Sequence, residues 1–232
     1  MSKRQTLFTA ITGFAFVFFS MPALMSQDED LDYEEPAKLN FFEFSVDPIL
    51  PAYQFSERLG KDLVGVSFAY LRQRKLDRMD FFGVQFSYVH IGSITETFFD
   101  FEDRTSTELL NLRFVYRFFP DFYFWRVEPF IEASFGPQLV FTGTSTSYFL
   151  DDTANYQFEE TDYGISYGAG VGFIFHIAGQ FFFLTKYSFM GGNTVNYYVP
   201  GEYVSGLPFE NFEFESSSIN YHNLQFGVTI SF

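Results

Sequence analysis

The sequence predicts an all-β protein, an eight-stranded antiparallel transmembrane up-and-down β-barrel. Three observations predict it. Segments of roughly ten residues alternate large apolar side chains with small or polar ones. The connections between those segments alternate short and long. The small face of the alternation carries Gly, Ser, Asn and Gln, where the wet face of a soluble sheet would carry Lys and Glu.

Composition narrows the field first. The chain has 232 residues, no Cys, 29 acidic against 14 basic side chains and 23% aromatics. That excludes a disulfide scaffold, an aromatic-poor disordered chain and, at net charge -15, a nucleic-acid binder. No Pro/Gly/Ser-rich linker divides the chain, so one domain is expected.

Residues 1–26 read as a secretory signal peptide: Lys3 and Arg4, an apolar run from Leu7 to Phe19, then small residues around Ala23 and Ser26. Pro22 and Gln27 interrupt the run near the minimum for a membrane-spanning helix. Without Cys there is no lipoprotein anchor. Loss of the two leader cations takes the net charge from -15 to -17. Residues 27–39, with Asp28, Glu29, Asp30, Asp32, Glu34 and Glu35, read as a solvated acidic periplasmic tail. Residues 40–232 read as the barrel.

Strands are expected near 41–50, 63–72, 81–91, 109–118, 126–141, 163–177, 181–190 and 221–232. In 163–177, Tyr163, Ile165, Tyr167, Val171, Phe173 and Phe175 alternate with Gly164, Ser166, Gly168, Gly170, Gly172 and Ile174. In the last strand Leu224, Phe226, Val228, Ile230 and Phe232 alternate with Asn223, Gln225, Gly227, Thr229 and Ser231. A large apolar outside and a small polar inside suit strands solvated by lipid in a closed sheet. Short links near 73–80, 119–125 and 178–180 belong to the periplasmic side, and long ones near 92–107, 142–162 and 191–220 to the outside. Only the first outer connection, near 53–62, is brief. Phe122, Tyr123, Phe124 and Trp125 form a candidate boundary girdle.

From Asn40 to the terminal run Leu224-Gln225-Phe226-Gly227-Val228-Thr229-Ile230-Ser231-Phe232, the chain resembles the small eight-stranded outer-membrane barrels of the OmpA and OmpX kind. The resemblance implies an outer membrane of the Gram-negative type. It also implies that Phe232, with Ile230, Val228 and Phe226, is the signal read by the barrel-assembly machinery. It implies no single activity.

Charge is concentrated in the tail and the long outer connections, in residues such as Glu96, Asp100, Glu102, Asp103, Asp151, Asp152, Glu159, Glu160, Asp162, Glu202, Glu210, Glu213 and Glu215. No EF-hand spacing marks a metal site. By parity Glu43, Asp47, Arg113, Arg117, Glu128, Glu132 and Lys186 face the lumen. If residues of the fourth and fifth strands pair with numbers summing to 245, Arg117 lies opposite Glu128 and Arg113 opposite Glu132. An eight-stranded barrel is just wide enough to be filled by side chains, so this network reads as a plug that fixes register; a narrow ion path is the other reading.

Catalysis finds little support. His90, His176 and His222 are followed two positions on by Gly92, Ala178 and Leu224, which supply no nucleophile on the same strand face. A cross-strand triad stays open. Gly168, Gly170 and Gly172 lie inside a strand with Phe173 at the third-glycine position, so they are no dinucleotide loop. No catalytic, cofactor or metal residue is assigned.

The expected function is a non-enzymatic structural or surface-binding role through acidic, aromatic outer loops. Tyr148, Phe149, Tyr156, Tyr197, Tyr198, Tyr203, Phe209 and Phe212 would contact lipopolysaccharide, surface sugars or a partner. The alternatives are an accessory subunit of an outer-membrane transport or secretion assembly, or a narrow channel. An outer-membrane or periplasmic protein partner would be reached through the tail or through the basic turn of Arg72, Arg74, Lys75 and Arg78, whose default partner is phospholipid head groups.

Overall fold

In the computed structural model, residues 40–74, 79–121, 126–148, 154–200 and 212–232 are described. The leader and tail, the Phe122–Trp125 girdle, Lys75, Arg78 and the loop residues Phe149, Asp151, Asp152, Glu202, Tyr203, Phe209 and Glu210 lie outside them.

The strands are β1 (Asn40–Ala52), β2 (Leu63–Gln73), β3 (Asp80–Thr97), β4 (Phe101–Phe118), β5 (Val127–Tyr148), β6 (Ala154–Ala178), β7 (Phe181–Gly192), β8 (Thr194–Pro200), β9 (Phe212–Ser218) and β10 (Asn220–Ser231); a short helix, α1, covers Tyr53–Leu59. Eight of the strands close a barrel in the order β1-β10-β7-β6-β5-β4-β3-β2, and β8 pairs with β9 in a separate hairpin. Every barrel contact is antiparallel. The seam between first and last strands is sealed by reciprocal backbone bonds of 3.1 Å between Asn40 and Phe232.

The period-two pattern explains the two faces. Phe42, Phe44, Phe68, Phe86, Phe114, Phe135 and Val171 stand exposed on the outside, while Glu43, Ser45, Ser67, Gln85, Arg113 and Lys186 are buried inside. A continuous apolar belt of this size would drive aggregation in water and is solvated by hydrocarbon. Backbone polar groups are meanwhile paired around the ring, as a lipid environment demands.

Three features differ from the sequence expectation. The first is strand length. Where 92–107 and 142–162 read as long loops, β3 and β4 stay paired from Asp80–Phe118 out to Thr97–Glu102, and β5 and β6 out to Ser147–Ala154. Alternation of large apolar with small residues reports which residues meet lipid, and it fades beyond the membrane, but pairing continues and Asp103, Thr105, Thr107 and Thr142 stay buried. Thr-rich strands favour that pairing, and Thr105–Thr144 and Thr107–Thr142 join hydroxyls at 2.8 Å across β4 and β5. These four strands therefore stand beyond the barrel as a sheet.

The second is α1, in the brief first outer connection. It is seven residues long and ends at Gly60, whose φ of 60° takes the left-handed region that glycine tolerates. The third is the β8–β9 hairpin within the last outer connection. Val195, Tyr197 and Val199 of β8 are buried together with Phe55 of α1, and the rings of Phe55 and Tyr197 meet edge to face at 5.8 Å. Arg58 of α1 reaches Glu215 of β9 at 3.3 Å. Helix and hairpin thus pack together over the outer mouth.

Register also departs from expectation. Across β4 and β5 the paired numbers sum to 249, with Arg117 opposite Glu132 and Leu110 opposite Leu139. The expected pairing weighed only those two strands. The lumen is narrow enough that Arg117 answers as well to β1 across the barrel, and the four-residue shift satisfies both sides. The chain has no native Cys to confuse a cross-linking test. Cysteines at Leu110 and Leu139 should form a disulfide on mild oxidation, whereas cysteines at Leu110 and Phe135, the pair required by the alternative register, should stay reduced. Four residues of strand separate the two targets by about 13 Å, well beyond disulfide reach. Non-reducing gel mobility reads the result.

Candidate functional site

The lumen is built in three layers. At the periplasmic end is an apolar floor. Phe41 of β1 stacks on Phe81 of β3 at 4.7 Å, and Phe119, Phe130, Ile174 and Phe182 close around them. At the outer end is an apolar ceiling, in which Ile49, Leu63, Val89, Leu109, Val140 and Met190 from the barrel wall meet Phe55, Val195 and Tyr197 from the helix and hairpin. Burial pushes the Tyr197 phenol up, and its hydroxyl is held 2.6 Å from Ser217 Oγ.

Between floor and ceiling lies the charged layer. Arg117 is fully buried and lies between two carboxylates. Its Nη1 and Nη2 fork onto Glu43 Oε1 and Oε2 at 2.5 and 2.9 Å, while Nε and Nη2 donate to Glu132 Oε2 at 2.9 and 2.6 Å. Lys186 Nζ donates to the other Glu132 oxygen at 2.5 Å, and Thr229 Oγ1 donates to Glu43 at 3.1 Å. The cluster ties β1, β4, β5, β7 and β10 and balances two positive against two negative charges. Planar forks of this kind are what makes Arg the residue for buried carboxylates. The guanidinium also lies 4.1 Å from the centre of the Phe130 ring, a cation–π contact that joins the charged layer to the floor. Gly172 on β6 makes room for that ring, because a Cβ there would run into Phe130.

Asp47 and Arg113 lie apart from this cluster. Asp47 accepts from Ser45 Oγ at 2.7 Å, from Ser67 Oγ and from Gln225 Nε2 at 2.8 Å. Arg113 donates to Ser87 Oγ at 3.1 Å and to the Tyr221 hydroxyl at 3.4 Å. Ser67 and Ser87, which serve the two opposite charges, are paired across β2 and β3. Beside them, Arg113 Nε and the side-chain amides of Asn111 and Gln138 are buried without a protein partner. Glu128 is half-buried at the periplasmic end of β5, opposite Ile174; Arg117 bonds to Glu43 and Glu132 in its place.

Sequence reasoning therefore named the charged residues and gave no part in the layer to the neutral ones that complete it: Ser45, Ser67, Ser87, Gln225, Thr229 and Tyr221. Their signal is parity, since each stands on the same strand face as the charges it serves.

The histidines lie elsewhere. His90 Nδ1 is 2.9 Å from Glu108 Oε1 on the outside of β3 and β4. His222 Nδ1 is 2.7 Å from the Tyr187 hydroxyl, and His176 Nε2 is 3.0 Å from the Gly179 carbonyl at a periplasmic turn. Among the described residues no group of three or more acids and histidines could hold a metal ion.

A closed eight-stranded barrel with an apolar belt and a packed polar lumen defines the class: a small integral β-barrel protein of the outer membrane. The chain is similar in fold to neisserial surface protein A, at 12% identity over 83% of this chain and 97% of that one, TM-score 0.49. It is similar to a major outer membrane protein of Thermus thermophilus, at 9% identity over 83% and 99%, TM-score 0.45. The N-terminal barrel domain of Pseudomonas aeruginosa OprF aligns at 15% identity over 84% and 98%, TM-score 0.35. No protein-family model and no curated protein matches the sequence.

Replacing one partner of a buried pair strands the others, at a cost of about 3–5 kcal/mol. Arg117→Met, which leaves Glu43 and Glu132 without their shared cation, should lose stability on that scale. Asp47→Asn keeps a hydrogen-bonding side chain among hydroxyls and an amide and should lose less, about 1–3 kcal/mol. Urea unfolding in lipid vesicles, followed by fluorescence of the single Trp, measures both.

Proposed function

We propose that this protein is a non-enzymatic outer-membrane barrel that acts by surface contact. The observation that supports it most is the contrast between the two ends of the barrel. The lumen is closed by apolar layers above and below its charges, so the charged network serves as a plug rather than a path. The polar sheet of β3 to β6, by contrast, continues beyond the mouth, braced by β8 through the Asn196 N–H bond to Asp162. That sheet and the hairpin carry Phe99, Tyr148, Tyr156, Phe158, Tyr163 and Phe214 exposed, with the half-buried Glu102, Glu159 and Glu160 among them. Exposed aromatics supply contact area at low entropic cost, and the acids select a basic or cation-bridged partner. Lipopolysaccharide, whose phosphates would be reached through bridging divalent cations, is the nearest such surface; a basic protein is the other.

The remaining parts follow from the sequence. Residues 1–26 are removed on export, 27–39 form the periplasmic tail, and Phe232, Ile230, Val228 and Phe226 present the signal to the barrel-assembly machinery.

Two measurements test this function. In planar bilayers the purified barrel should give no stable conductance; steady ion-selective steps abolished by Arg117→Met would replace contact with a channel. Cells displaying the intact barrel should bind an immobilised Lys-rich peptide in a manner that weakens with salt, as exposed charge pairs do. Removing 144–158 from the β5–β6 hairpin should abolish that binding. Undiminished binding after the deletion would overturn the assignment to this sheet.

A further inference from the structure

The periplasmic rim of β2, β3 and β4 carries an arrangement that neither the plug nor the outer sheet uses. A cavity of about 320 Å3 opens there, lined by Met79, Asp80, Tyr116, Phe118, Phe119 and Asp121. Asp80 is opposite Phe118 on the lipid-facing side, yet only 7% of it is exposed, and its Oδ1 has no hydrogen-bond partner among the described residues. A carboxylate oxygen buried without a donor is costly, and such orphans mark positions where a group from outside the chain belongs. Immediately beside it, Arg74 donates its backbone N–H to the Asp80 carbonyl at 3.0 Å, and Arg72 stands opposite Phe82. Both arginine side chains are exposed. No ion pair joins either one to Asp80 or Asp121 among the described residues. The Phe82 and Tyr116 rings, 5.0 Å apart, continue this patch up the lipid-facing wall.

We propose that this rim binds the headgroup of a membrane phospholipid that carries a primary ammonium, of the phosphatidylethanolamine class. Its parts match that ligand one for one. The two-carbon bridge of such a headgroup sets phosphate and ammonium about as far apart as neighbouring strands, roughly 4.8 Å. Arg72 and Arg74 on β2 and its turn take the phosphate, and Asp80 and Asp121 on the β3–β4 side take the ammonium. Asp80 Oδ1 gains the N–H donor that the described residues do not give it. The acyl chains then run along Phe82, Tyr116 and Phe118, which already face hydrocarbon. A basic protein segment would satisfy the two acids but would leave the arginines facing like charge, so the lipid is favoured.

The test uses the full chain extracted from its membrane in mild detergent, stripped of lipid and offered phosphatidylethanolamine, phosphatidylcholine and phosphatidylglycerol at equal concentration. Native mass spectrometry counts the lipid retained. One charge-assisted hydrogen bond gained in a dry site corresponds to about a tenfold preference. Phosphatidylethanolamine should therefore be held about tenfold more tightly than phosphatidylcholine, whose methylated nitrogen cannot donate, or phosphatidylglycerol, which has no ammonium. Asp80→Asn combined with Asp121→Asn should erase that preference, and Asp121→Asn alone, at an exposed position, should reduce it a few-fold without threatening the fold. Arg72→Gln combined with Arg74→Gln should weaken all three lipids together. Heat-dependent gel mobility checks that each variant is a closed barrel. Equal retention of the three lipids, a preference that survives loss of both carboxylates in a folded barrel, or carboxylate-dependent binding of a Lys-rich peptide without lipid preference would each overturn the proposal.

Discussion

Every part of this protein answers to one constraint: in hydrocarbon a sheet cannot leave an edge unpaired. The Asn40–Phe232 seam satisfies it, and closure with eight strands fixes the rest. The interior of a ring of that size is just wide enough for side chains to fill, so inward side chains pack against others from across the barrel. Floor, charged layer and ceiling are three local solutions to that packing problem. The floor uses aromatic volume, the middle uses matched charge and hydroxyls, and the ceiling borrows an α-helix and a hairpin from the outer connections.

The same constraint explains why charge is buried here at all. Removing two carboxylates, a guanidinium and an ammonium from water is expensive, and mutual attraction offsets it only when each lone pair and proton is used. Arg117 makes four donor contacts to two carboxylates, and both oxygens of Glu132 and of Glu43 are engaged. A network so specified tolerates one relative placement of its strands, and this is how chemistry in the lumen sets register in the wall.

How legible this was depended on what each pattern reports. Alternation reports lipid on one face, so it located the spanning parts of the strands and lost β3 to β6 beyond the lipid, where Thr, Ser and Glu stand in place of most of the large apolar side chains. The floor was written in the sequence in a different form. Phe41-Phe42, Phe81-Phe82 and Phe118-Phe119 are doublets, and Phe181-Phe182-Phe183 a triplet, at the periplasmic ends of four strands. A doublet breaks period two and means that inside and outside are both apolar at that level. Register was not legible from two strands alone, because Glu43 on β1 decides it as much as Glu132 on β5. The helix and hairpin were hidden for a related reason: Phe55, Val195 and Tyr197 become core residues only once the barrel supplies a mouth to cover.

The charges in the lumen come from strands far apart in the chain. Arg117 comes from β4, its carboxylates from β1 and β5, and the second cation from β7. Strands delivered to the bilayer one at a time would carry bare ions into lipid, and those from the first half of the chain would wait there for β7. Only in the closed barrel does each of these ions meet its counter-charge, so the ring that pairs the backbone edges is also what neutralises the lumen.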